Sequence, residues 1–430
     1  MPRALLRSLA VIAASVLLPG CGTIADAGPS GTFAISVPDP WPGAEVRVTS
    51  ADFRHTTGTA VLKADTFTVN LARVSDTVMS GKLPAAATGQ LSVSLDVDGY
   101  HFLLPAISIA GFADGGVYAD PGMSLWTEPY QWTGDNTAAI YGMNILGYPV
   151  IVELETGTTR SIGPPGRAYP QTGPGPTYLP GTVLYLPPGG VLESWVTTPV
   201  PTKIAEHPEI GWLKDDIWYY NRAQFGPNTW FIGDDRGTWI LRTDGTKLVD
   251  WKEDLGTVAW GIHFSPRGDR ATISGYGSAP GIPVYSLPSG DVAFRAPTRN
   301  AQGVDFSPDG TVLALLGART PPAFQDNHLL LFDATSGAVL KDTSLAGFAL
   351  GLRMDRVRPV LYVAQIDTVS SEVSILVFRR APFELLGRMR APAPGMRPFY
   401  PGMALSGRRG LYLYDELSRR FWRFTLPTVQ

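Results

Sequence analysis

Between Thr32 and about Gly111 apolar and polar residues alternate with a period of two. The runs TFAISV (Thr32–Val37), EVRVT (Glu45–Thr49), TFTVNLARV (Thr66–Val74) and QLSVSLDV (Gln90–Val97) show it best. A period of two places one set of side chains on each face of a strand and predicts half-buried β-strands. Asp98-Gly99 sits between two such runs and predicts a tight hairpin turn. The segment predicts a small β-sandwich over 32–111.

From about Gly116 the alternation continues in shorter runs, and a pattern repeats: Gly, apolar, any residue, apolar, then Ser or Asp. It occurs as GIHFS at Gly261, GVDFS at Gly303, GLRMD at Gly351 and GMALS at Gly402, at spacings of 42, 48 and 51. A second signal, a strand ending in a turn that closes on Gly, falls between them. Its copies are Glu153–Gly157, Leu241–Gly245, Ser286–Gly290 and Ala334–Gly337, at spacings of 88, 45 and 47. The 88 spans two periods, so one copy has drifted to near Pro199-Val200-Pro201. Extending the period adds turns near Pro382 and Pro427, seven units in all. A period near 40–50 with four short strands per unit predicts a β-propeller. The chain is therefore read as all-β, a seven-bladed β-propeller over 116–430 preceded by the small β-sandwich domain.

In the clearest unit the strands are read as Gly303–Phe306, Val312–Leu316, Leu329–Phe332 and Ala338–Lys341, with Ser307-Pro308-Asp309-Gly310 as the first turn. The last unit supplies Gly402–Leu405, Leu411–Tyr414 and Phe421–Thr425. A closing fourth strand is expected from near Val117–Leu125, since closure removes exposed sheet edges. Gly163–Gly181, with six Pro in 19 residues, reads as a semi-rigid loop between units one and two.

FSPDG and FSPRGD resemble the WD40-like repeats of TolB-type bacterial propellers. The resemblance implies the fold and says almost nothing about activity. The all-β N-terminal region differs from the α/β domain of TolB, so its partner is not carried over.

Composition agrees with short strands and tight turns. Gly (47) and Pro (38) make up about a fifth of 430 residues, charged residues 17% and hydrophobic residues 44%. Such Pro content disfavours long helices. The N-terminus, MPRALLRSLAVIAASVLLPGC, has Arg3 and Arg7 before a short apolar run, too short to span a bilayer. It resembles a bacterial lipoprotein signal over 1–20, with Leu18-Pro19-Gly20-Cys21 as the lipobox and Cys21 as the acylated residue. A tether over 21–31 follows. Cleavage after Ala25-Asp26-Ala27 is the alternative and would release the protein. Cys21 is the one cysteine of the chain, which leaves no disulfides.

No linear motif carries chemistry. His55, His101, His207, His263 and His328 form no ligand spacing. Asp215-Asp216 and Asp234-Asp235 are pairs that could touch Ca²⁺ but lack the spacing of a Ca²⁺ loop. No cofactor is assigned. The middle position of the Gly motif holds His263, Asp305, Arg353 and Ala404, predicted to lie on innermost strands beside the axial channel. Trp260 and Gln302 precede the motif glycines and are placed nearer the channel mouth. These side chains either contact a small polar ligand or hydrogen-bond between blades.

Residues 340–430 carry 14 Lys plus Arg against 7 Asp plus Glu, whereas 31–339 carry 19 against 30. That asymmetry suits an anionic partner, such as lipid headgroups or an acidic protein. An exported chain of net charge −3 does not suit nucleic acid. The expected function is a lipid-anchored binding scaffold of the cell envelope, attached to the membrane and meeting an envelope protein. The alternative is a lactonase-like propeller hydrolase with a metal at the channel mouth.

Overall fold

The computed structural model describes residues 32–426. Outside that description lie 39, 55, 57–58, 120–130, 133–137, 144–148, 154–157, 162–166, 171–181, 187–190, 197–201, 209–221, 227–228, 235–236, 243–246, 251–258, 277–280, 288, 299, 319–326, 368–371, 392–397, 407–409 and 416–419. Side chains are described for 32–116 and, in the later part, mainly for His263–Ala391. The chain divides into two compact units, Met1–Phe112 with Pro427–Gln430, and Ala113–Leu426. Among the described residues strands dominate, with a 3-10 turn at Ala51–Arg54.

The first unit holds β1 (Ala34–Ser36), β2 (Glu45–Thr49), β3 (Ala60–Ala64), β4 (Phe67–Ser75), β5 (Val78–Lys82), β6 (Gly89–Val97) and β7 (Tyr100–Ile109). Their order is β1-β2-β5-β4-β3-β6-β7. The two layers of the sandwich are halves of one sheet that folds over along β4. Phe67–Leu71 pair with β3, whereas Ala72, Arg73 and Ser75 pair with β5 across a register shift. One core fills the fold, with Val46 and Val48 from one half and Leu62, Leu95 and Val97 from the other. The outer edges approach each other, since the Phe33 and Phe102 rings meet 4.6 Å apart, tilted by 45°. At the predicted hairpin, Asp98 and Gly99 have φ of 47° and 84°, and Val97 faces Tyr100. Positive φ at both central residues matches the right-handed twist of the flanking strands.

The second unit is a seven-bladed propeller: seven antiparallel sheets in chain order. Their innermost strands are Gln131–Trp132, Arg167–Pro170, Arg222–Gly226, Ala259–Phe264, Gly303–Phe306, Phe348–Met354 and Pro398–Ser406. Each blade has four strands, and blade four gains a short fifth, Asn300–Ala301, which pairs with Arg270–Tyr276. Blade seven takes its outermost strand from the start of the unit. There β8 (Gly116–Ala119) pairs with Arg420–Thr425, Val117 facing Trp422. The chain thus closes its own ring at the predicted Val117, and residues 120–125 of the predicted Val117–Leu125 lie outside the described residues.

The blades stack through two described cores. Ile273 and Val284 of blade four meet Val304, Phe306 and Leu315 of blade five. Ala314, Leu316 and Leu331 of blade five meet Leu352, Met354 and Val363 of blade six. Side chains alternate along a strand, so each blade presents one face to the blade before it and one to the blade after. Both faces are buried, and these strands read as nearly continuous apolar runs. The motif glycine serves that packing. A Cβ on Gly303 would lie 2.8 Å from the Leu352 nitrogen, so the innermost strands of blades five and six approach there as bare backbone.

One expectation needs correction. Gly163–Gly181 is not loop throughout, because Arg167–Pro170 forms the innermost strand of blade two. Its Pro falls at the strand end, where a missing donor is tolerated.

Candidate functional site: the inner strands of blades four to six

In the three Gly motifs with described side chains, the polar residue that closes the motif builds the turn after the innermost strand. Ser265 Oγ accepts from Asp269 N at 3.2 Å and Arg270 N at 3.1 Å. Ser307 Oγ accepts from Val312 N at 2.9 Å and donates to Asp309 Oδ1 at 2.6 Å. Asp355 Oδ1 accepts from Val357 N at 2.8 Å and Arg358 N at 2.9 Å. Ser and Asp recur here because their short oxygens reach the next backbone N–H groups. Asp309 is held down to about 2, chiefly by the Ser307 hydroxyl and then by the Thr311 N–H.

These turns also tie neighbouring blades together. Arg267 Nε donates to the Asp309 carbonyl at 2.7 Å, from blade four to blade five. Arg356 reaches back from blade six, its Nη1 donating to the Phe306 carbonyl at 2.9 Å and its Nη2 to Asp305 Oδ1 at 3.0 Å. Asp305 Oδ2 accepts from Met354 N at 2.8 Å, and Oδ1 also accepts from Phe306 N at 2.9 Å. Both oxygens of Asp305 are therefore engaged across the boundary between blades five and six. Within blade six, Asp355 Oδ2 accepts from Arg358 Nη1 at 2.9 Å and from the Tyr362 hydroxyl at 2.8 Å, all three residues buried.

Five of the six sequence candidates lie on or directly before innermost strands of blades four to six. Trp260 lies on the innermost strand of blade four, its side chain outside the described residues. His263, half-buried on the same strand, has Nε2 3.3 Å from Ser274 Oγ. Gln302 is 1% exposed, and neither its Oε1 nor its Nε2 has a hydrogen-bond partner among the described residues. Asp305 is a blade-to-blade clamp. Arg353 lies on the innermost strand of blade six, beside Leu352 and Met354, which are buried against blade five. Cys21, the sixth, lies outside the described residues.

Arg353 is half-buried. Part of its surface reaches solvent, yet desolvation dominates and pushes its pKa below the usual arginine range. Asp305 works in the opposite direction, and Arg356 adds to the depression. Its hydrogen bond to the Leu352 carbonyl is 3.4 Å long, at the outer limit for such a bond. Arg380, nearby, is likewise lowered by burial, with Asp309 and Asp355 acting against it. Sequence reasoning missed Arg356, which lies in the turn rather than in motif register. Its signal was the run Asp355-Arg356-Val357-Arg358 replacing Ser-Pro-x-Gly.

Among the described residues no three His, Cys, Asp or Glu side chains cluster as a metal site. Asp215, Asp216, Asp235 and the side chain of Asp234 lie outside that description. No helix among the described residues is long and apolar enough to cross a membrane.

The fold is similar to a WD40 propeller chain in a solved structure titled "Crystal Structure of Mitotic Checkpoint Complex". The TM-score is 0.52 at 11% sequence identity, covering 74% of this chain and 92% of that one. The sequence matches no protein-family profile and no curated protein.

Proposed function

We propose that the chain is a bacterial envelope lipoprotein, anchored through Cys21, whose TolB-type propeller acts as a binding scaffold for an envelope protein or small ligand. The signal-like N-terminus and the FSPRGD and FSPDG turns support this placement. The observation that carries binding over hydrolysis is the state of Asp305. A metal near Asp305, or acids converging at one mouth, would favour the hydrolase, and both oxygens of Asp305 are committed to Phe306, Met354 and Arg356. The neighbouring acids are similarly occupied: Asp309 by Ser307 and Thr311, Asp355 by Arg358 and Tyr362. A ring whose described inner-turn acids, Asp305, Asp309 and Asp355, are used internally presents its loops without rearranging. A propeller chain titled as part of a protein complex is consistent with protein partners.

The test is a pull-down from detergent-solubilised envelopes with the acylated protein as bait, combined with metal analysis of the bait. A specific envelope protein retained, with no stoichiometric metal, supports the scaffold. A stoichiometric divalent ion with ester or lactone hydrolysis lost on chelation contradicts it. Labelling with a palmitate analogue, abolished by Cys21→Ser, tests the anchor.

A further inference from the structure

The edge of the sandwich unit is apolar where sheet edges are ordinarily charged, and the inference from it rests on the lipoprotein reading above. The folded sheet ends in two edges, β1 and β7, and no ladder joins them among the described residues. One bond, from Ala110 N to the Pro40 carbonyl at 2.8 Å, ties the seam at one end. Along the rest the core reaches the surface: Ile35 and Val37 on one side, and Phe102 and Leu104 on the other, are only partly buried. None of residues 100–106 is buried. Leu103 turns away from the core, opposite Ser94, and is 81% exposed, the most of any large apolar side chain described. Tyr100, near it on β7, is 44% exposed.

Natural sheet edges carry charges or breaks that keep other chains from pairing with them. Each of β2 to β6 holds at least one Asp, Glu, Lys or Arg, whereas β1 and β7 hold none. What β7 has instead is a break. The β6–β7 ladder shifts register opposite Pro105 and Ala106, and Pro105 has no N–H to offer a new strand. The edge therefore refuses a strand from another protein, yet leaves its apolar side chains outside. A bilayer needs no ladder, only apolar groups free of charge. The chain also enters the domain here. The Phe33 ring meets Phe102 at 4.6 Å, and Thr32 lies eleven residues after Cys21, a reach of at most about 40 Å. An anchor at Cys21 draws this seam toward the lipid ahead of the fold along β4.

We infer that the seam between β1 and β7 rests on the bilayer that holds the Cys21 acyl chains, with Leu103 entering the acyl boundary and Tyr100 at headgroup level. Tyrosine suits that depth because its ring is apolar and its hydroxyl stays wet.

The experiment uses the full acylated chain in phosphatidylethanolamine–phosphatidylglycerol vesicles. Acylation consumes the thiol of the chain's one cysteine, so an introduced cysteine is the one site free for a fluorescent label. Leu103→Cys reports the seam, and Val74→Cys, 63% exposed on β4, reports the fold on the other side. Lipid with a nitroxide on its acyl chain should quench the label at 103 at least about twofold more than the label at 74. Leu103→Asp, with the label moved to Ala106→Cys, should lose that quenching. Equal lipid quenching at 103 and 74 overturns the inference, and so does quenching at 106 that survives Leu103→Asp. A label at 103 shielded from aqueous iodide but untouched by the nitroxide lipid overturns it too, since a protein surface then covers the seam. Palmitate-analogue labelling of the same preparations separates the two readings. Acyl label with equal quenching defeats the seam inference alone. Wild type without acyl label defeats the lipoprotein reading, and the seam inference with it.

Discussion

Arg356 of blade six donates to Asp305 of blade five at 3.0 Å, and the same guanidinium holds the Phe306 carbonyl at 2.9 Å. Blade five is gripped from the other side by Arg267 of blade four, which donates to the Asp309 carbonyl at 2.7 Å. The repeated turns therefore do two jobs: they reverse the chain, and they latch each blade to the next.

Asp305→Ala should cost about 2–4 kcal/mol of stability in urea unfolding, because it orphans the buried Met354 N and removes the partner of the half-exposed Arg356. Arg356→Met should cost less, about 1 kcal/mol, since Arg356 is 44% exposed and its ion pair is partly screened. If the two variants lose equal stability, Asp305 is not the centre of the latch.

Gly303→Ala should destabilise the propeller by about 1–3 kcal/mol, since the added carbon would sit 2.8 Å from backbone. Gly116→Ala is the matched control, as a Cβ there meets nothing within 4 Å. Equal melting of the two variants would remove the close approach as the reason for the motif glycine.

Much of this architecture was legible because it is written locally. Gly303–Phe306 and its Ser-Pro turn were read in place, since alternation and turn chemistry need only neighbouring residues. Closure near Val117 followed from counting strands in the last unit. The roles of Asp305 and Arg356 were not legible, because their partnership spans 51 positions and joins a strand to a turn. Likewise TFTVNLARV reads as one strand, while its division between two partners along β4 depends on long-range pairing. Arg167–Pro170 was hidden among six prolines, which mark loops more often than strands.

Asp309 gives a pH dependence. Its pKa is lowered from 3.8 to about 2, so its contribution is complete above about pH 4 and is lost as pH falls towards 2. The carboxylate is exposed, so screening keeps the effect below about 1 kcal/mol. Asp309→Asn should flatten the acid limb of stability between pH 4 and pH 2. An acid limb parallel to wild type would show that the turn bonds do not matter.

Deleting Gly116–Ala119 should leave the edge of Arg420–Thr425 unpaired. The expected outcome is a lower Tm and concentration-dependent association by light scattering, because an open strand edge pairs with other chains. A deletion that stays monomeric with unchanged Tm would show that β8 does not close the ring.

The seven-bladed ring is tested most directly by a crystal structure of the full chain. The account predicts seven antiparallel sheets about one axis, with Gly116–Ala119 paired to Arg420–Thr425 and Arg356 in contact with Asp305. A ring of six or eight sheets, or an Arg420–Thr425 edge left unpaired, would contradict the account.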